Sequence, residues 1–95
     1  MISPDVRAAI RNLHRVLWRA QHRICAICGL PIRRASDTTT EHVVPRAAGG
    51  FWGLGNVVGA HGACNTAKAD RMPTGCELIW LLAVNARLGV QPQGW

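Results

Sequence analysis

Cys25-x-x-Cys28 and His61-x-x-Cys64 are the residues whose types and spacing point most directly to chemistry. Zinc takes four nitrogen or sulfur ligands in a tetrahedron, and a C-x-x-C knuckle supplies two converging sulfurs. A second pair at the start of an expected helix completes the set. The plainer readings are a disulfide or inert buried thiols. A reducing compartment disfavours the first, and the second does not account for two x-x spacings, one of them with a histidine. With four positions filled, the Zn²⁺ would be structural, leaving no open position for a catalytic water. Cys76 is left over; it reads as a small core residue, or as a competitor of His61 for the fourth position.

A second constellation lies between the two pairs. Glu41 and His42 are adjacent, Asn56 follows fourteen residues after His42, and Asn65 nine after that. Singly, each has an ordinary explanation as an exposed strand end, a turn residue or a helix-surface amide. Together they are a hydrolytic set. A carboxylate and an amide oxygen can hold a hard divalent cation that keeps several waters. The neighbouring imidazole can take a proton from water near neutral pH, and a further amide can hold that imidazole in one orientation.

These groups need elements to position them. Ser3-Pro4-Asp5 carries helix-start signals: an N-cap serine, a proline at the first helical position and an acid at the positive end of the dipole. Val6, Ile10, Leu13 and Leu17 then form an apolar stripe, and the helix is expected to run to about Gln21. Arg23 to Ile32 reads as a tight knuckle. Thr38 to Thr40 predicts a strand leading into Glu41-His42-Val43-Val44-Pro45. The four glycines between Ala47 and Gly55 predict a loop. Asn56 to Val58 predicts a second strand, and His61 to about Arg71 a helix stopped before Pro73. Thr74-Gly75-Cys76-Glu77 fits a capping box opening a last helix through Leu88, closed by Gly89. Its face from Leu78 through Leu81, Leu82 and Ala83 is expected to pack on the core.

With 95 residues the chain is expected to be a single domain, 1–95: a basic helix over 1–22, a zinc-stapled core over 23–72 and an apolar helix over 73–89. A hydrophobic content of 48% argues against disorder. The longest unbroken apolar run, Leu78 to Val84, is far short of the ~20 residues that span a bilayer. The start lacks the pattern of a secretory signal. A soluble, cytoplasmic protein is therefore expected, with no membrane partner. The net charge is +6, from 11 basic and 5 acidic residues, and ten of the basic residues are arginine. Residues 1–34 hold seven arginines against Asp5 alone, and the remainder is neutral. Arg7, Arg11, Arg15 and Arg19 recur every four residues, a row whose self-repulsion an anionic partner would relieve. Nucleic acid is the expected partner.

From Cys25 to Arg71 the ordered series Cys25-x-x-Cys28, Glu41-His42-x-x-Pro45, Gly49-Gly50, Asn56-Val57-Val58 and His61-x-x-Cys64-Asn65-x-x-Lys68 resembles an HNH endonuclease of the ββα-metal type. That resemblance implies an α+β fold: a small ββα-metal core with a zinc knuckle, flanked by an N-terminal and a C-terminal helix. It implies hydrolysis of DNA phosphodiester bonds. Glu41 and Asn65 would hold catalytic Mg²⁺ or Mn²⁺, His42 would be the general base, and Asn56 would fix the His42 ring and loop. Lys68, Arg71 and Arg46 would touch flanking phosphates, with the row Arg7, Arg11, Arg15 and Arg19 extending the footprint. The sequence departs from the family pattern twice, with Glu41 where Asp is common and His61 where Cys is common. A rival reading is a non-catalytic zinc-stabilised nucleic-acid-binding module, which lacks a use for Glu41, His42, Asn56 and Asn65. A zinc deaminase is excluded, since neither H-x-E nor P-C-x-x-C is present. An interaction protein docking through the last helix would compete with that helix's place in the core. One centre cuts one strand, so double-strand cleavage would need a homodimer or a larger protein partner. Stand-alone HNH proteins of this size resemble phage or mobile-element proteins.

Overall fold

A computed structural model describes residues 3–51 and 53–91. Helix α1 (Pro4–Ala20) opens at Ser3, whose hydroxyl accepts from the Val6 amide at 3.3 Å, with Pro4 in the first turn. Only the C-terminal half of its apolar stripe reaches the core. Leu17 is fully buried and Leu13 packs beside it, whereas Val6 is half-exposed, because the sheet meets the helix at Leu17 and Gln21. Buried Gln21 ties the two together: its Nε2 donates to the carbonyls of Ile24 and Gly59, both at 2.9 Å, and its Oε1 accepts from the Gly59 amide at 2.6 Å. A Cβ on Gly59 would lie 2.9 Å from Thr38 Cγ2 on the paired strand and 3.4 Å from Leu17 Cβ on α1, so a larger residue would crowd both.

His22 and Arg23 both take positive φ and turn the chain into the knuckle. There the Ile24–Pro31 bridge and the Cys25 amide bonded to Leu30 O (2.9 Å) close a loop around Cys28. Strand β1 (Thr38–His42) pairs antiparallel with β2 (Val57–His61), Thr38 opposite His61 and His42 opposite Val57. The register sets His61 at one end of the ribbon and His42 at the other, roughly 13 Å apart along four strand steps. The second strand starts one residue later than Asn56 and runs three beyond Val58, since β1 offers partners as far as Thr38.

The connection between the strands contains a short 3-10 turn, Arg46–Ala48, and folds back tightly. A Cβ on Gly50 would fall 1.8 Å from Val44 O, which restricts that position to glycine. Helix α2 (Gly62–Lys68) is shorter than the predicted 61–71, ending where Ala69 takes φ +49. Helix α3 (Gly75–Leu88) has the predicted capping box: Thr74 Oγ1 accepts from the Glu77 amide, and Glu77 Oε2 accepts from the Thr74 amide at 2.8 Å. Gly89 closes it in the left-handed conformation.

The predicted burial of Leu82 is not found; it is half-exposed, and Ile79 one turn earlier is more exposed still. The inward positions are Glu77, Leu81, Val84, Asn85 and Leu88, a true helical repeat, from which Leu82 is rotated by about 100°. Leu81 and Val84 join Leu17, Val43, Val57 and Val58 in the main core; Cys25, Ile32 and Ala60 form a second one under Trp18. Among the described residues the result is a small α+β fold of three α-helices and a two-stranded antiparallel sheet.

Candidate metal and catalytic site

The ligand atoms of Cys25, Cys28, His61 and Cys64 all lie within 4.8 Å of one another. The knuckle supplies the first two, the end of β2 the histidine, and the first turn of α2 Cys64. His61 Nε2 sits 3.0 Å from Pro31 O. A carbonyl only accepts, so Nε2 carries the proton and Nδ1 presents its lone pair. That Nδ1 lies 3.4 Å from Cys28 Sγ and 3.9 Å from Cys64 Sγ, against a tetrahedron edge of roughly 3.6 Å for zinc between N and S. The Pro31 carbonyl is the outer partner that fixes a ligating ring. Burial acts to raise the Cys25 thiol pKa, but amides bonded to its sulfur, among them those of Ile27 and His61 (3.4 Å each), bring it down to about 7. Burial and the neighbouring sulfurs push Cys64 up to about 12, a crowding that a central cation would relieve. The donor set fits structural zinc. Cys76 does not belong to it, and it is exposed in the first turn of α3, not in the core as predicted.

Glu41, His42 and Asn65 line one cavity of about 180 Å³, with Arg46 and Asp70 also in its wall. Glu41 comes from the buried side of β1. Its Oε1 accepts from Lys68 Nζ at 2.9 Å, while Oε2 is buried with no hydrogen-bond partner among the described residues. Burial raises the Glu41 pKa, with Lys68 opposing. Asn65 donates from Nδ2 to Thr40 O (2.9 Å) and Thr39 Oγ1 (3.3 Å), which leaves Oδ1 as its remaining polar atom. The pKa of His42 lies below its usual value through burial and then the nearby cations Arg46 and Lys68, so its ring is neutral at pH 7. Asn56 is buried outside this cavity. It accepts from the Val44 amide (2.9 Å) and donates to Val44 O (3.0 Å) and Phe51 O (2.8 Å), pinning the loop that follows His42.

Of the expected phosphate contacts, Lys68 is a correction. Its side chain is wholly buried, and its ammonium donates to Glu41 Oε1, His42 O and Val43 O, out of reach of a surface phosphate. Arg71 is half-exposed and bonded to Glu77 Oε1 (3.3 Å). Arg46 is exposed at the cavity, and Arg7, Arg11, Arg15 and Arg19 are exposed along α1. Sequence reasoning missed Asp70 at the cavity, Pro31 behind His61 and the inward half of Glu77. Only Asp70 left a signal, an acid two residues beyond the last motif position.

A search of curated proteins gives no match to the chain. The family model described as HNH endonuclease matches residues 25–71, a span that runs from the knuckle through both strands and α2 to the rim of the cavity. Residues 25–71 thus form an HNH endonuclease domain.

Proposed function

We propose that this protein is a metal-dependent endonuclease that hydrolyses DNA phosphodiester bonds, with His42 as the general base. The observation that carries this reading is the meeting of a buried, half-satisfied carboxylate, an amide oxygen and a neutral imidazole on one cavity. Glu41 Oε2 and Asn65 Oδ1 are the donors suited to a hard cation. Mg²⁺ or Mn²⁺ bound there would supply Lewis-acid stabilisation of charge on the phosphate and the leaving oxygen. His42 takes the proton from the attacking water, Asn56 keeps the adjoining loop in place, and Arg46 faces the incoming phosphate from the rim. The arginine row on α1 adds affinity for the backbone of the DNA regardless of sequence. The cysteine and histidine cluster holds structural Zn²⁺ at the far end of the ribbon. A double-strand break requires a second copy or a second event.

Cleavage of supercoiled plasmid tests the reading. Mg²⁺ or Mn²⁺ should support nicking and EDTA should stop it. His42→Ala should cut roughly 10²–10⁴-fold more slowly, with zinc content and DNA binding retained. A His42→Ala protein as fast as its parent would show that the base lies elsewhere. DNA binding without cleavage in any divalent metal would make the protein a binding module.

A further inference from the structure

Glu77 has an ordinary role as the third residue of the α3 capping box, where its Oε2 accepts from the Thr74 amide. Capping needs no burial, yet the Glu77 side chain is fully buried, and what it faces is the equally buried ammonium of Lys68. Lys68 Nζ lies 3.6 Å from Glu77 Oε2, too far for a hydrogen bond but close enough for strong attraction in a dry setting. All three hydrogens of that ammonium are already used, on Glu41 Oε1 (2.9 Å) and on the consecutive carbonyls of His42 and Val43 (3.0 Å each). Lys68 therefore fixes both the rotamer of Glu41, turning Oε2 away from itself, and the backbone that carries the His42 ring.

The charges decide what Glu77 adds. Lys68 and Glu41 alone would form a neutral pair, with nothing left over to attract a cation. With Glu77 the buried trio carries one net negative charge. Arg71 offsets it only in part, because its guanidinium is half in solvent. We propose that Lys68 and Glu77 are positioning residues of the catalytic centre. Through them α3, which lies beyond the family segment, orients Glu41 and adds a second carboxylate whose charge offsets that of Lys68 beside the divalent ion, although the same charge makes Glu41 itself harder to ionise. The inference rests on the reading of Glu41 as a cation-binding carboxylate.

The test is Mn²⁺ binding to zinc-loaded, DNA-free protein, read from the loss of the free-ion signal in electron paramagnetic resonance at a temperature where circular dichroism shows each variant folded. Glu77→Gln keeps an acceptor for the Thr74 amide and removes the charge; its Kd for Mn²⁺ should rise about tenfold. Thr74→Ala damages the same cap without touching the charge; its melting temperature should fall while its Kd stays at the parent value. Arg71→Gln is a surface change that still reads the charge should Glu77→Gln misfold; it should tighten Mn²⁺ about twofold, the opposite sign. A Kd unchanged in both charge variants overturns the inference while the parent's Mn²⁺ binding upholds the divalent site. A Kd raised as much by Thr74→Ala as by Glu77→Gln reduces Glu77 to a cap and also overturns it. A parent that binds no Mn²⁺ overturns the divalent reading and the inference together.

Discussion

At His42, burial, the Arg46 guanidinium and the Lys68 ammonium all disfavour the imidazolium and hold the pKa below 6.5. A general base works as the neutral ring, so under the proposed mechanism activity should rise as the pH climbs through that lowered pKa. Burial raises the Glu41 pKa, so its protonation should lower activity in the same acidic direction. The single-turnover rate against pH at saturating metal checks this. Arg46→Gln supplies the sign: with one cation gone the imidazolium is easier to form, so the inflection should move up. An inflection that stays put would mean that the titrating group is not next to Arg46. The types and spacing of Glu41, His42 and Asn65 made their meeting on one cavity legible in sequence. The fate of Lys68 was not legible, because a lysine one turn before a helix end reads as surface. Its burial depends on Glu41, 27 residues earlier, and on Glu77 from another helix.

Among the elements, locally encoded boundaries were read well and pairing-dependent ones were not. Ser3, Thr74 and Gly89 bond within their own turns, so their caps follow from composition and spacing. The length of β2 and the early end of α2 depend on the register with β1 and on the positive φ of Ala69, which no local pattern announces. The Cys25–Cys28 knuckle is the element on which the others lean. Trp18 of α1 donates from Nε1 to Ile32 O at 2.8 Å, Arg23 stacks on the Trp18 ring at 4.9 Å, and the second core is built on Cys25 itself. Cys25→Ser should therefore lose the zinc and, because ligand assembly and folding are linked, much of the far-ultraviolet helical signal. Cys76→Ser should keep both, its side chain being exposed and outside the cluster. Metal analysis by mass spectrometry beside circular dichroism separates the two outcomes. A fully folded, zinc-free Cys25→Ser protein under reducing conditions would remove the structural role of the site.

Across the whole molecule the positive charge is carried at one end of the sequence, while the family segment beyond the knuckle is close to neutral. No helix among the described residues is long and apolar enough to cross a membrane. The 3-10 turn Ala35–Asp37 separates two surface hollows, one of about 190 Å³ lined by Arg11, His14, Arg15, Ala35 and Ser36, the other of about 560 Å³ lined by Arg33, Arg34 and Asp37. Arg34 is tied to Asp37 at 3.1 Å, but Arg11 and Arg15 face a hollow without an acid in its wall. This side of α1 suits a phosphate backbone, and its turn leads directly into β1, whose other end bears Glu41 and His42. Replacing Arg7, Arg11, Arg15 and Arg19 together by Gln should weaken binding to every DNA sequence alike. It should also flatten the dependence of log K on log salt by up to ~0.9 for each phosphate that is no longer neutralised. Folding should survive, since all four side chains are exposed and the inward stripe is untouched. Fluorescence anisotropy over a salt series, on two unrelated duplexes, reads both effects. An unchanged slope would make the row a solvated face and leave DNA affinity to the rim of the cavity lined by Glu41 and His42. A slope reduced on one duplex but not on the other would mean that α1 reads sequence or shape instead of charge.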